Sequence, residues 1–233
     1  MKKGCSILII EGNIGSGKTT CMEIVKSKLE KSYNCITVQE PTKEWVACKN
    51  VDGISHLEAF YNNSRQEAFS FQLFAQMSRI AALKSAIATI PDRSCDYSRQ
   101  LTDGESYLQS KHTVILVERS VASGNEVFGQ QLVSSGLMSK CENDEIKRIC
   151  KVVWSDVKTH VDTLFLCATP QTCMDRIKLR NRDGETVSLK LLEELNMLYD
   201  NFKDIYIING DLPLASMSDE IDKIIDRYSC SHQ

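Results

Sequence analysis

The run Gly12-Asn13-Ile14-Gly15-Ser16-Gly17-Lys18-Thr19 fits the pattern G-x-x-x-x-G-K-[ST]. Glycines at these positions let successive backbone N–H groups turn inward around phosphate oxygens. A helix starting at the end of the loop adds the positive end of its dipole. Lys18 then reaches the outer phosphates, and the Thr19 hydroxyl, with Thr20 beside it, lies where a magnesium ion would be held. The bland alternative is a glycine-rich turn that merely ends a strand. An apolar strand-like run before the motif and a helical pattern after it favour nucleoside triphosphate binding instead.

Two carboxylates stand at the ends of later apolar runs. Glu40 closes Cys35–Glu40 (CITVQE) and is followed by Pro41, while Glu118 closes Thr113–Glu118 (TVILVE) and is followed by Arg119-Ser120. Either alone reads as a solvated loop residue. Together, at the strand edge where open α/β sheets bind ligands, they form a base and metal-site pair. No N-K-x-D motif occurs, which counts against a GTPase switch. Gln72, Gln76 and Arg79 recur at i, i+4 and i+7 on an otherwise apolar helix that opens with a Ser64-x-x-Glu67 capping box. Such a stripe either faces solvent or meets the edge of a nucleobase, whose donors and acceptors would satisfy buried amides. Arg176, Arg180 and Arg182 cluster at a helix end before Asp183-Gly184-Glu185. They form either a plain basic helix terminus or a clamp of planar donors on phosphate.

Short apolar runs must alternate with helices to position these groups. Ser6–Glu11, Cys35–Glu40, Thr113–Glu118, Thr163–Ala168 and Ile205–Asn209 read as strands covered on both faces. Helices are predicted at 18–31, 64–90, 143–158, 171–180, 189–203 and 218–229, the fifth with Leu191, Leu195, Leu198 and Phe202 on one face. The pattern predicts an α/β fold, a parallel sheet flanked by helices, with residues 1–233 forming a single domain. Within it, Pro91–Lys111 is expected to be a flexible surface loop. The 233 residues carry 28 Lys+Arg against 31 Asp+Glu, a net charge of −3 without any basic block, so neither nucleic acid nor a membrane surface is an expected partner. The apolar runs are too short to span a bilayer. Ten scattered cysteines without a CxxC pair or metal spacing, and no targeting segment, point to reduced thiols in the cytoplasm.

Taken in order, IEGNIGSGKTT (10–20), EPTKEW (40–45), Phe71-Gln72, Glu118-Arg119-Ser120 and RIKLRNRDGE (176–185) resemble the deoxyribonucleoside kinases of the deoxycytidine, deoxyguanosine and mitochondrial thymidine kinase type. The resemblance runs from Ile7 to about Leu212, and viral enzymes share it. It implies a P-loop kinase fold with a five-stranded parallel sheet, an Arg-rich lid and a homodimer. It also implies ATP- and Mg²⁺-dependent phosphorylation of a deoxynucleoside 5′-hydroxyl. On that resemblance Glu40 is the general base and Arg119 orients the reacting oxygen. Glu118 and Thr19 hold the metal, and Tyr61 and Glu185 grip the 3′-hydroxyl. Gln72 reads the base between Trp45, Phe71 and Phe128, and Ile14 touches the sugar. Arg176, Arg180 and Arg182 form the lid, and the step from Ile208 to Asp211 lines the adenine.

Three departures stand out. Arg79 keeps its place, but the Asp that partners it in the deoxycytidine and deoxyguanosine kinases is Gly124 here, so Arg79 is expected to turn to water, Gln76 or the substrate. The space at Gly124 leans the reading towards pyrimidines such as thymidine and deoxycytidine. Gly184 stands where acidic residues are common, and the 91–111 excursion is long for the family. The competing readings are a monophosphate kinase of the thymidylate kinase type and a non-catalytic P-loop protein. The first would carry Asp-Arg rather than Glu118-Arg119, and the second has no need of Glu40, Glu118, Arg119 and three lid arginines.

Overall fold

The computed structural model describes residues 5–91, 111–155, 157, 159–181, 185–200 and 206–231. Five parallel strands, β1 (Cys5–Gly12), β2 (Asn34–Val38), β3 (Thr113–Glu118), β4 (His160–Cys167) and β5 (Tyr206–Asn209), lie in the order β2-β3-β1-β4-β5. All five predicted strands are therefore present, within a few residues at each end. The central β1 and β3 are buried almost throughout because helices cover both faces of the sheet there. The edge strands β2 and β5 are partly exposed, so the expectation that all five are covered on both faces holds only for the middle of the sheet. Leu8, Ile10, Leu116 and Leu164 pack on α1 (Lys18–Leu29) and α10 (Leu214–Ser231). The alternate residues Ile7, Ile9, Ile115 and Val117 pack on Leu83 of α4 (Ser64–Ala88) and Trp154 of α7 (Lys140–Trp154). Full burial of such a side chain contributes roughly 1.5–3 kcal/mol, so the strand ends are held firmly. No helix of the described residues is long and apolar enough to cross a membrane.

The register sets the chemistry side by side. Val38 pairs with Val117 and Ile10 with Glu118, so the residues just beyond β2, β3 and β1 emerge in a row at one edge. Glu40, Glu118-Arg119 and the loop from Gly12 to Lys18 occupy that row. The order of the strands puts this edge at a topological switch point.

Two expectations about helices need correction. Ser64 and Glu67 do not form a capping box: the N-cap of α4 is Asn63, and the Ser64 hydroxyl donates to the Phe60 carbonyl at 2.8 Å. Ser64 can do this because α3 (His56–Asn62) runs straight into α4. A reciprocal capping box does exist, between Ser139 and Glu142 at the start of α7. On α9 (Leu189–Tyr199) the buried face is Leu192, Leu195 and Tyr199; Leu191 and Leu198 lie at its margins, and Phe202 is outside the described residues. Elements the sequence pattern passed over are α2 (Thr42–Ala47), α3, and the helix after β3. That helix runs as α5 (Val121–Ser123), a π-helical stretch Gly124–Gly129 and α6 (Gln130–Ser134). Helix α8 (Pro170–Arg180) starts from Thr169 with Pro170 in its first turn, where a missing N–H costs nothing. Of the 91–111 excursion, 92–110 lie outside the described residues.

Candidate active site

Gly12, Gly15 and Gly17 all have positive φ, at 149°, 76° and 101°. At Gly15 the need is also steric, since a Cβ would stand 2.5 Å from the Cys173 carbonyl oxygen and 2.8 Å from Ile177 Cγ1. The loop is braced from outside by Asn13, whose amide donates to the Leu192 carbonyl at 2.8 Å. Arg176 braces it too, donating to the carbonyls of Ser16 at 2.6 Å and Gly210 at 2.8 Å. Lys18 is buried and donates to the Asn13 carbonyl at 2.8 Å. Burial, reinforced by nearby Arg119 and only partly offset by Glu118 and Glu40, pushes its ammonium down to about 8. Arg180 pairs with the Glu185 carboxylate at 2.7 and 2.5 Å, while Arg182 is outside the described residues. Asp211 accepts from the Thr169 amide at 3.0 Å at the head of α8.

Beside this loop, one oxygen of Glu40 is held by two guanidinium groups. Oε1 accepts from Arg79 Nη2 at 2.5 Å and from Arg119 Nε at 3.1 Å. Oε2 makes no hydrogen bond among the described residues, and Glu40 lines a cavity. Burial alone would raise this carboxyl, but Arg119, Arg79 and Lys18 outweigh it and hold it at about 2. Arg119 adopts φ 68°, a strained backbone for a side-chain-bearing residue, stabilised by its N–H donating to the Ile10 carbonyl at 3.0 Å. Its guanidinium also lies 4.3 Å over the Phe128 ring and donates to the Tyr199 hydroxyl. Glu118 Oε1 accepts from Thr19 Oγ1 at 3.2 Å. Two hard oxygen donors set side by side suit Mg²⁺, which takes few protein ligands and keeps water and phosphate oxygens.

The cavity at Glu40 has a volume of about 460 Å³, within the range of small-molecule sites. Ile14, Trp45, Tyr61, Phe71, Gln72, Arg79, Phe128 and Glu185 all line it. Leu57, Phe60, Gln131, Leu132 and Leu195 complete the wall. The Trp45 indole N–H donates to Ser78 at 2.9 Å, and its ring carries Arg79 at 5.0 Å and Phe71 edge-on at 5.5 Å. A second cavity, of about 410 Å³, opens on the far side of the loop, lined by Gly15–Thr20, Arg176, Leu212, Leu214 and Met217. The two cavities have Gly15, Lys18, Thr19, Glu118 and Arg180 in common.

The polar stripe on α4 is buried rather than solvated: Gln72 is 4% and Gln76 0% exposed. Gln72 donates to the Gly124 carbonyl. Gln76 donates to the Val121 carbonyl at 2.9 Å and to Asn125 Oδ1 at 2.6 Å, and accepts from Arg79 Nη1 at 3.2 Å. So Arg79 does turn to Gln76, as expected, but its shortest contact is to Glu40. The expected open space at Gly124 is absent. The Gln76 amide fills it, and a Cβ on residue 124 would lie 2.6 Å from Gln76 Nε2.

The family model described as "Deoxynucleoside kinase" matches residues 8–227, nearly the whole chain. The chain belongs to the deoxynucleoside kinase family. Human mitochondrial thymidine kinase 2 is 27% identical over 218 residues, covering 92% of this chain and 69% of that protein. Human deoxycytidine kinase is 27% identical over 214 residues, covering 83% and 73%. A protein of Invertebrate iridescent virus 3 is 25% identical over 226 residues, covering 95% and 96%. As a deoxynucleoside kinase the chain is an enzyme that phosphorylates nucleosides, and the five-stranded parallel sheet agrees with that family.

Sequence reasoning missed two buried polar groups of this kinase, Glu11 and Tyr199, both 0% exposed. Glu11 Oε1 accepts from the Ser120 N–H at 2.7 Å, and the Tyr199 hydroxyl donates to Glu11 Oε2 at 3.4 Å. The signal for Glu11 was a charge inside a run that both sheet faces bury. Tyr199 carried none, since at its helical position a tyrosine reads as core.

Proposed function

We propose that this kinase transfers the γ-phosphoryl group of ATP to the 5′-hydroxyl of a deoxyribonucleoside. With the space at Gly124 filled by Gln76, what supports thymidine and deoxycytidine as acceptors is the similarity to proteins named thymidine kinase 2 and deoxycytidine kinase. The observation that carries the reading is the pair of cavities meeting at Lys18, Thr19, Glu118 and Arg180. Donor phosphates on the loop side and an acceptor on the Glu40 side would face each other across these residues.

In such a reaction the protein mainly positions the groups and stabilises charge. Lys18 and the loop amides hold the donor phosphates, and Arg180 adds planar donors to the transferring group once it leaves Glu185. Glu40 Oε2 accepts the 5′-hydroxyl proton, with Oε1 fixed by Arg79 and Arg119. A carboxylate near 2 is a weak base, which suits a loose transition state in which the proton leaves late. Thr19 and Glu118 would hold Mg²⁺, which neutralises charge developing on the phosphates. Tyr61 and Glu185 bind the sugar's 3′-hydroxyl, and Gln72 meets the base between Trp45, Phe71 and Phe128. Ile208 is buried in the core and neither it nor Asp211 lines the loop-side cavity, so the donor's adenine would meet Leu212 and Leu214 just beyond that step. The reading includes a single domain and a homodimer, as the resemblance implies, working in the cytoplasm, or in the host cytoplasm for a viral chain, to supply DNA precursors. Sedimentation at micromolar concentration reads the dimer directly.

The test of the reaction is ADP release with ATP and Mg²⁺, measured without acceptor, with thymidine, and with thymidine monophosphate. Release only with thymidine supports the proposal. Release only with the monophosphate makes the chain a monophosphate kinase, and release with neither, nor with deoxycytidine, deoxyadenosine or deoxyguanosine, overturns the proposed reaction.

A further inference from the structure

Behind the proposed reaction centre lies a buried acid and phenol that the mechanism above does not use. Tyr199 comes from α9 and Glu11 from the end of β1, far apart in the chain, and both are fully enclosed. Burial, joined by the negative charges of Glu11 and Glu40, raises the Tyr199 hydroxyl well above the ordinary tyrosine value despite Arg119. The phenol therefore keeps its proton. The hydroxyl oxygen accepts from Arg119 Nη1, Ser123 is hydrogen-bonded to it as well, and the hydroxyl donates to Glu11 Oε2 at 3.4 Å.

Arg119 is thus fixed on three sides. Nε goes to Glu40 at 3.1 Å, Nη1 goes to Tyr199, and one face of the guanidinium lies on Phe128. Nη2 makes no hydrogen bond among the described residues, although the side chain lines the acceptor cavity. A guanidinium on a strained backbone has several ways to relax, and each fixed edge removes one of them. Glu11 Oε1 also accepts from the Ser120 N–H at 2.7 Å, so the same carboxylate steadies the backbone directly after Arg119.

We propose that Tyr199, backed by Glu11, is a positioning residue that aims Arg119 at the acceptor oxygen and at Glu40. The idea rests on the reaction proposed above. Tyr199 contributes nothing to acceptor binding itself; it acts only through Arg119.

Tyr199→Phe keeps the ring that packs on Phe165 and Phe128 and removes only the hydroxyl. A hydrogen bond to a charged group supports a loss in kcat of about ten- to a hundredfold, with KM for thymidine within about threefold. The decisive arm is a double-mutant cycle with Arg119→Lys, whose ammonium lacks the second nitrogen arm. In that background Tyr199→Phe should cost less than about twofold, because the interaction it removes is already gone. Glu11→Gln provides an independent variant, expected to lower kcat in the same direction while leaving KM alone. Wild type active with Tyr199→Phe fully active overturns the positioning role and leaves the reaction standing. So does a loss of the same factor in both Arg119 backgrounds, or a loss confined to KM or to melting temperature. A wild type inert towards every deoxynucleoside overturns both.

Discussion

Glu40 offers one bonded and one open oxygen, and the division follows from where its arginines come from. Arg79 reaches it from α4 and Arg119 from the end of β3, and both end on Oε1. Replacing Glu40 with Gln keeps the shape but removes the proton acceptor. The expected result is a kcat lower by about 10²–10⁴ with little change in nucleoside affinity, read by steady-state kinetics. Arg79→Met should lower kcat on thymidine, deoxycytidine, deoxyadenosine and deoxyguanosine together, since it frees the carboxylate whatever base is bound. A change confined to the purine-to-pyrimidine ratio would mean that Arg79 reads the base instead. Lys18 gives the pH dependence. Its ammonium acts on phosphate charge and is held near 8, so raising the pH through 8 removes the useful form from the free enzyme. Because kcat/KM reports the free enzyme, its value for ATP should be flat below that pH and fall above it by about tenfold per unit. Glu40, at about 2, adds no acid limb between pH 5 and pH 8.

The helix after β3 shows at the scale of an element why some of the site was legible and some was not. The two strand ends and the glycine loop could be read because their chemistry is local: a motif, an apolar run and a charge at its end. The π-helical stretch Gly124–Gly129 has no such periodic signature, and it depends on contacts with α4 forty to fifty residues earlier. Hence the sequence could flag Gly124 as a missing partner but not that Gln76 occupies its space. Helices α2 and α3 span only six and seven residues, too short for a period to emerge. Gly124→Ala tests this packing. The added Cβ would press on a buried amide already tied to Val121, Asn125 and Arg79. Overpacking of this kind costs about 1–3 kcal/mol, so the melting temperature should fall by about 2–12 °C in a thermal scan. An unchanged melting point would show that Gln76 yields freely.

Across the whole molecule, a sheet order that sets three strand ends in a row accounts for how residues 11, 40, 118 and 119 share one site. The strand–helix alternation made the sheet readable in advance, but not its order, which depends on long-range register. Nor could the sequence reveal that Lys18, Thr19, Glu118 and Arg180 stand between two cavities. That arrangement makes one product the direct test: the molecule formed from thymidine, ATP and Mg²⁺, identified by ³¹P NMR and mass. Thymidine 5′-monophosphate formed in step with ADP is the predicted result. A 3′-phosphate, or ADP released while thymidine stays unmodified, would contradict transfer from the loop-side cavity to a 5′-hydroxyl beside Glu40.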